Sequence, residues 1–257
     1  MAADLTPLFG AVAATIAVVA GYFGLQNRRD REPWRALAAR LDLRVGTGWR
    51  LDGTFKGWTV KIRSQGDGHE QTTTITVHAK YLLLRGVALS AEPSGLRGLF
   101  TEADPTVGDP EFDAQVRIEG VGSTAALAML DHRARALLLP AVREGLTVTP
   151  NAVVFTGGRR EVMVQRIPAL LESMVVLVDA LALDEAQIPA RLARNATTDP
   201  LPAVRLANLR ALLGDFEDHP ATLEAARAIL SDGPDEARML AARRLGGEAV
   251  EACLALA

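Results

Sequence analysis

Cysteine is all but missing from this chain. Cys253 stands alone, which excludes an intrachain disulfide framework and a cysteine-rich zinc site. It sits in the apolar stretch EAVEACLALA, where a buried small hydrophobe is the expectation, ahead of a nucleophile. Lysine is almost as scarce: only Lys56, Lys61 and Lys80 occur, and every other base is arginine, a bias of genome composition and not of function. Neither sign of charge dominates. With 28 Lys and Arg against 31 Asp and Glu, the net charge of −3 gives no global reason to expect nucleic acid as a partner.

Signatures of chemistry are missing too. The four histidines, His69, His78, His132 and His219, include no i, i+4 pair that would hold a metal on one helix face. His69, Glu70 and His78 can approach one another across a hairpin, but a solvated strand face is the expected reading. Asp104, Asp109, Glu111 and Asp113 crowd one loop; prolines interrupt it and no glutamate stands at the twelfth position of a calcium loop, so an Asp-Pro turn before a strand is expected. Gly46-x-Gly48 and Gly120-x-Gly122 lack the third glycine or the Gly-Lys ending of phosphate-binding loops, and no serine sits in G-x-S-x-G. No catalytic, cofactor-binding or metal-binding residue is therefore assigned, and no cofactor is expected.

What the sequence does contain begins with Leu5 to Gln26, 22 residues without a charge. As a helix this run reaches roughly 33 Å, about the thickness of a bilayer's hydrocarbon core. Asp4 precedes it and arginines follow it, the reverse of a cleavable export signal. The expectation is a single-pass anchor over residues 1–26 in the inner (cytoplasmic) membrane. Arg28, Arg29 and Arg31 then hold the rest of the chain in the cytoplasm. Ala13, Ala17 and Gly21 recur every four residues, a small-xxx-small face through which a homodimer would form.

The middle, residues 27–187, reads as an α+β domain. Pro33 to Leu41 is a short amphipathic helix with Trp34, Leu37, Ala38 and Leu41 on one face. LRVGTGWRLDGTFKGWTVKIRSQ and TTTITVHAKYLLL alternate as strands, with Phe55 to Trp58 as a hairpin tip. Thr147–Thr149 and Val153–Thr156 flank a turn at Pro150-Asn151, and the short connections make the pairing antiparallel. One helix is expected over about Ser123 to Arg143. A second, apolar helix is expected to start near Pro168 and to pack across the sheet, because Glu172 and Asp179 oppose a second membrane span. With the Trp34 helix and Gly108-Asp109-Pro110-Glu111-Phe112-Asp113, the region from about Pro33 to Leu183 resembles the cytoplasmic part of uncharacterised membrane-anchored bacterial proteins. That resemblance implies no activity.

The end of the chain repeats itself. DPLPAVRLANLRALLGD from Asp199 aligns with DGPDEARMLAARRLGGE from Asp232, pairing Arg205 with Arg238, Leu206 with Met239, Leu209 with Ala242 and Leu212 with Leu245. The physical reading is a helical hairpin unit: the aspartate caps the helix, the arginine faces solvent, and the apolar residues fill a groove that the next unit covers. Asp199, Pro200, Val204, Arg205 and Leu206, with Asp232, Pro234, Ala237, Arg238 and Ala241, resemble HEAT-like repeats over residues 188–257. The resemblance implies a protein-binding scaffold. Two copies are too few to stand alone, so the block should lean on the preceding domain.

The fold class expected is thus α+β: an N-terminal transmembrane helix, an antiparallel sheet packed with helices, and a short all-α HEAT-like module. The function expected is a membrane-anchored adaptor that engages the membrane through residues 5–26 and a protein through its C-terminal helices. Two alternatives stay open: a pocket for a lipid or small apolar ligand beside the Met174 to Leu183 helix, and an unrecognised hydrolase.

Overall fold

The computed structural model describes residues 31–66, 70–79, 84, 86–92 and 105–246. Among these, eight strands build one sheet: β1 (Arg44–Val45), β2 (Arg50–Phe55), β3 (Trp58–Gln65), β4 (Thr72–His78), β5 (Ala88–Ala91), β6 (Val116–Glu119), β7 (Leu146–Thr149) and β8 (Ala152–Gly157). Their spatial order is β1-β2-β3-β4-β8-β7-β5-β6, and every pairing is antiparallel. The first four strands form a meander, and a ladder from Thr73↔Gly157 to His78↔Ala152 joins it to the later four. The tip between β2 and β3 falls where the sequence placed it. Lys56 and Gly57 both have positive φ, 49° and 86°, the pair of left-handed residues that a two-residue hairpin of matching twist demands.

Alternation gives the sheet two unlike faces. Leu51, Ile62, Ile75, Phe155 and Leu146 stand opposite one another across successive strands and are all buried. Helices cover this face. The helix α1, over 31–41, buries Trp34, Leu37, Ala38 and Leu41, the four residues that its period selects. Next come α2 (Pro110–Asp113), α3 (Ser123–Met129), α4 (His132–Arg143) and α5 (Arg160–Leu181); α5 lies against β4 and β8, and α4 against β7 and β5. Each large side chain sealed here contributes about 1.5–3 kcal/mol, so this one face supplies much of what holds the sheet.

Several expectations need correction. The helix expected over Ser123 to Arg143 is two, broken at Leu130, because the Asp131 carboxylate accepts from the Ala134 N–H and starts α4 afresh. The apolar helix begins at Arg160, not near Pro168, which lies inside it. The fold class itself is corrected. Among the described residues no helix is long and apolar enough to cross a membrane, and what they build is an antiparallel sheet covered by helices. The physical reason is visible in α5, 22 residues long: Arg160, Glu161, Arg166, Glu172 and Asp179 spread charge along it, at about 2.5 kcal/mol or more for each charge at bilayer depth. The expected anchor, residues 5–26, lies outside the described residues.

The chain ends in α6 (Ile188–Thr198), α7 (Pro202–Asp215), α8 (Pro220–Asp232) and α9 (Asp235–Leu245). They pair as two hairpins, α6 with α7 and α8 with α9, and the second lies on the first. Val204 and Leu212 of α7 are buried, as are Ala237 and Leu245 of α9 at the matching positions, so the internal repeat is a repeat of packing. The two aspartates and Arg205 depart from the expectation: Leu201 and Pro234, not Asp199 and Asp232, stand at the N-caps of α7 and α9, and Arg205 does not face solvent. It is half-buried, and its guanidinium donates to the carbonyls of Ala196 and Asp232, tying both hairpins together. Because α6 and α7 also pack on α3, one apolar cluster runs without interruption from Trp34 to Leu245.

Candidate functional site

The strongest polar constellation lies at the seam between the sheet layer and the stacked hairpins. Arg135 of α4, its side chain 3% exposed, donates from Nη2 to both carboxylate oxygens of Asp199 at 3.0 Å, and from Nε to Asp109 Oδ2 at 2.8 Å. Nη1 donates to the Leu130 carbonyl, 2.8 Å away. Two carboxylates on one buried guanidinium leave a surplus negative charge, and helix starts absorb it. Asp109 also accepts from the Phe112 N–H at the start of α2, and Asp199 from the Leu201 N–H at the start of α7.

The surrounding loop is built for this arrangement. Asp113 accepts from the N–H groups of Val107 and Gly108, both at 3.0 Å, and Phe112 is fully buried. Burial is the largest influence on Asp113 and raises its pKa, against those two backbone donors, which lower it. Gly108 has φ +83° and lies so close to α7 that a β-carbon there would stand 3.1 Å from the Ala203 carbonyl oxygen. The carboxylate loop weighed as a calcium site is therefore internal structure: Asp109 and Asp113 spend their oxygens on Arg135 and on backbone N–H groups. Asp104 lies outside the described residues, and Glu111 pairs with Arg143 at 3.2 Å.

Beside this seam, Asp131, Arg133, Asp179, Arg191 and Arg194 line an open groove of about 290 Å³ between α4, α5 and α6. Most of its charge is committed. Arg191 donates to the carbonyls of Ala180 and Ala182 that close α5, and burial, then Arg194, lowers its pKa. Arg194 holds Asp131 at 3.0 Å, and Asp179 accepts from Trp58 Nε1 at 2.9 Å.

The sheet's second face offers the opposite case. On β3 and β4 the alternation points Lys61, Arg63 and Gln65, with Thr74, Thr76 and His78, away from the helices, and these six line a groove of about 320 Å³. Register places Lys61 against Thr76, Arg63 against Thr74 and His78 against Thr59. Among the described residues neither Lys61 nor Arg63 has an ion-pair partner within 4 Å. Burial, then Lys61 and Arg63, lowers the His78 pKa, and its Nε2 is buried without a hydrogen-bond partner.

Of the histidines, His132 begins α4, His219 accepts from the Ala221 N–H at the start of α8, and His69 lies outside the described residues, as does Cys253. One member of the triple with Glu70 thus lies outside the described residues, and His78 lies beside two cations, Lys61 and Arg63. Among the described residues no group of three His, Cys, Asp or Glu side chains could hold a metal ion. Sequence reasoning missed Arg135 as a hub. One signal for it was present: Asp109-Pro110 and Asp199-Pro200 are both Asp-Pro steps, the first starting α2 and the second lying between α6 and α7, and a buried cation satisfies both.

No family model matches the chain, and no curated protein matches it. A solved structure, the crystal structure of the mycobacterial trehalose monomycolate transport factor A, TtfA, is similar with 17% identity and a TM-score of 0.35, over 60% of this chain and 90% of that one. At that TM-score the likeness carries no argument.

Proposed function

We propose that the protein is an adaptor that binds a protein partner through its stacked hairpins, without chemistry of its own. The observation that carries this reading is the outer face of α9. Met239 is 67% exposed there, one of three exposed large hydrophobic side chains among the described residues, and Arg238 and Arg243 flank it on the same helix, both exposed. An apolar side chain between guanidinium groups suits an acidic segment bearing a hydrophobic anchor. Arg135 and Arg205 support the reading because they fix the hairpins to the sheet and to each other, so little ordering remains to oppose association. The reading takes nothing from residues 5–26.

The alternative of an apolar ligand pocket beside Met174 to Leu183 is opposed by packing. Met174, Val175, Leu177, Val178, Leu181 and Leu183 are all 3% exposed or less within one apolar cluster, and the groove beside this helix is lined by Asp131, Asp179, Arg191 and Arg194, where an apolar ligand would meet charge.

The test is site-specific photo-crosslinking in the full chain, with the reactive residue at Met239 and, as a control, at the exposed Thr54 of β2. A discrete adduct with a second polypeptide from Met239 alone, abolished when Arg238 and Arg243 become glutamate, is the expected result. Equal adducts from both positions, or an adduct only with another copy of this chain, would overturn it.

A further inference from the structure

The uncovered groove on β3 and β4 goes beyond the adaptor reading. We propose that it is a binding site for a phosphoryl group, with Lys61 and Arg63 meeting the charge and the Thr74 and Thr76 hydroxyls donating to its oxygens. The argument begins with charge. Lys61 and Arg63 are two apart on one strand, so their side chains leave the same face of the sheet as neighbours. Like charges so placed repel, and an anion between them relieves the repulsion. Among the described residues no acid lines this groove. Asp52, opposite Lys61 in the register, instead accepts from Arg50 Nε.

Hydrogen bonding points the same way. The lining offers an ammonium, a guanidinium, a carboxamide, two hydroxyls and an imidazole, a set rich in donors with no fixed negative acceptor. His78 Nε2 is buried without a hydrogen-bond partner, and a turn of the ring into the groove would bring it to a phosphoryl oxygen. A dianion matches two adjacent cations better than a carboxylate does, because it neutralises both, and a guanidinium fork suits phosphoryl oxygens. Nucleic acid fits less well. Recognition of single strands on an open sheet uses two or more aromatic side chains as stacking platforms, and among the described residues His78 is the only aromatic ring that lines this groove, without a Phe, Tyr or Trp. The chemistry is shared by a free phosphomonoester and by a phosphomonoester lipid headgroup.

The experiment titrates the full chain with inorganic phosphate, with glycerol 3-phosphate and with vesicles containing phosphatidic acid in phosphatidylcholine, following the His78 imidazole by NMR. Saturable shifts, with the His78 pKa raised by bound ligand, are the expected result. Preference for glycerol 3-phosphate over the vesicles identifies a soluble ligand, and the reverse identifies a headgroup. Lys61→Met with Arg63→Met should weaken binding at least tenfold while the circular dichroism stays unchanged; Thr76→Val, a near-isosteric change, should weaken it several-fold and guards against a misfolded double variant. No saturable shift with any of the three probes would overturn the site, as would equal affinity in both variants or tighter binding of a single-stranded oligonucleotide. None of these outcomes touches α9, so the adaptor reading stands or falls separately.

Discussion

Arg135 shows how much can rest on one side chain. A guanidinium 3% exposed has lost its hydration, and only Asp109, Asp199 and the Leu130 carbonyl replace it. Truncating it leaves two carboxylates facing one another without a cation, the costliest way to break a buried pair. Arg135→Ala should therefore lower stability by about 3–5 kcal/mol, read by chemical denaturation, and a loss below about 1 kcal/mol would show that water takes the cation's place. Replacing Arg135, Asp109 and Asp199 together with apolar residues of similar volume should restore much of the loss.

His78 makes a second prediction at this scale. Its folded pKa lies below the ordinary value of about 6.5, because of burial first and then Lys61 and Arg63. The unfolded chain therefore takes up this proton before the folded one does. Stability associated with His78 is fully present above about pH 6.5 and is lost as pH falls from there towards the folded pKa. In the ligand-free protein, Lys61→Met with Arg63→Met should raise the pKa only part of the way, since burial remains. A return to the ordinary value would make the two cations the main cause.

At the scale of elements, the junctions decide more than the interiors. Asp131 both begins α4 and holds Arg194 of α6. Asp131→Ala should cost about 0.5–2 kcal/mol as a lost cap, and hydrogen exchange should quicken in the first turn of α4 before it does elsewhere; uniform quickening would mean that Asp131 serves the whole fold. Gly108→Ala forces a β-carbon into a left-handed backbone, at about 1–2 kcal/mol, and against the Ala203 carbonyl. Melting temperature reads the sum. These junctions also mark what the sequence could reveal. The Trp34 helix, the Phe55 to Trp58 tip and the hairpin repeat were legible because their signals are local: a period, a turn, an offset. The pair β5 and β6 was not, since Ala88–Ala91 and Val116–Glu119 are four residues each, too short to show alternation. The start of α5 was hidden because a proline tolerated inside a helix was read as its beginning. The bond between Arg135 and Asp199 spans 64 positions, and neither neighbourhood announces the other. The open face of β3 and β4 could be read as a solvated strand, but that no carboxylate among the described residues lines its groove depends on which strands are neighbours.

For the whole molecule, the continuous core from Trp34 to Leu245 predicts one cooperative transition, although the sequence suggested separable parts. The helices α8 and α9 cover α6 and α7, and α6 is bound to α3 through Asn195 Nδ2 and the Leu127 carbonyl, 2.9 Å apart. Ending the chain at Asp215 should then lower the melting midpoint seen by the three tryptophans of the sheet region, Trp34, Trp49 and Trp58, and not only the helical signal. An unchanged tryptophan midpoint would show that the hairpins fold as an independent unit.

The order of strands also sets a timetable for synthesis. β4 pairs with β8, and the neighbouring bond from the Arg160 N–H to Gln71 closes a separation of 89 residues. At about 5–20 residues per second, β4 leaves the ribosome roughly 4–18 seconds before the segment that completes it. During that interval Ile75 and Val77 have neither α5 nor β8 to cover them. The nascent chain carries an open strand edge through about a third of its own translation, and a chaperone that shields the β1–β4 meander would have that interval in which to act.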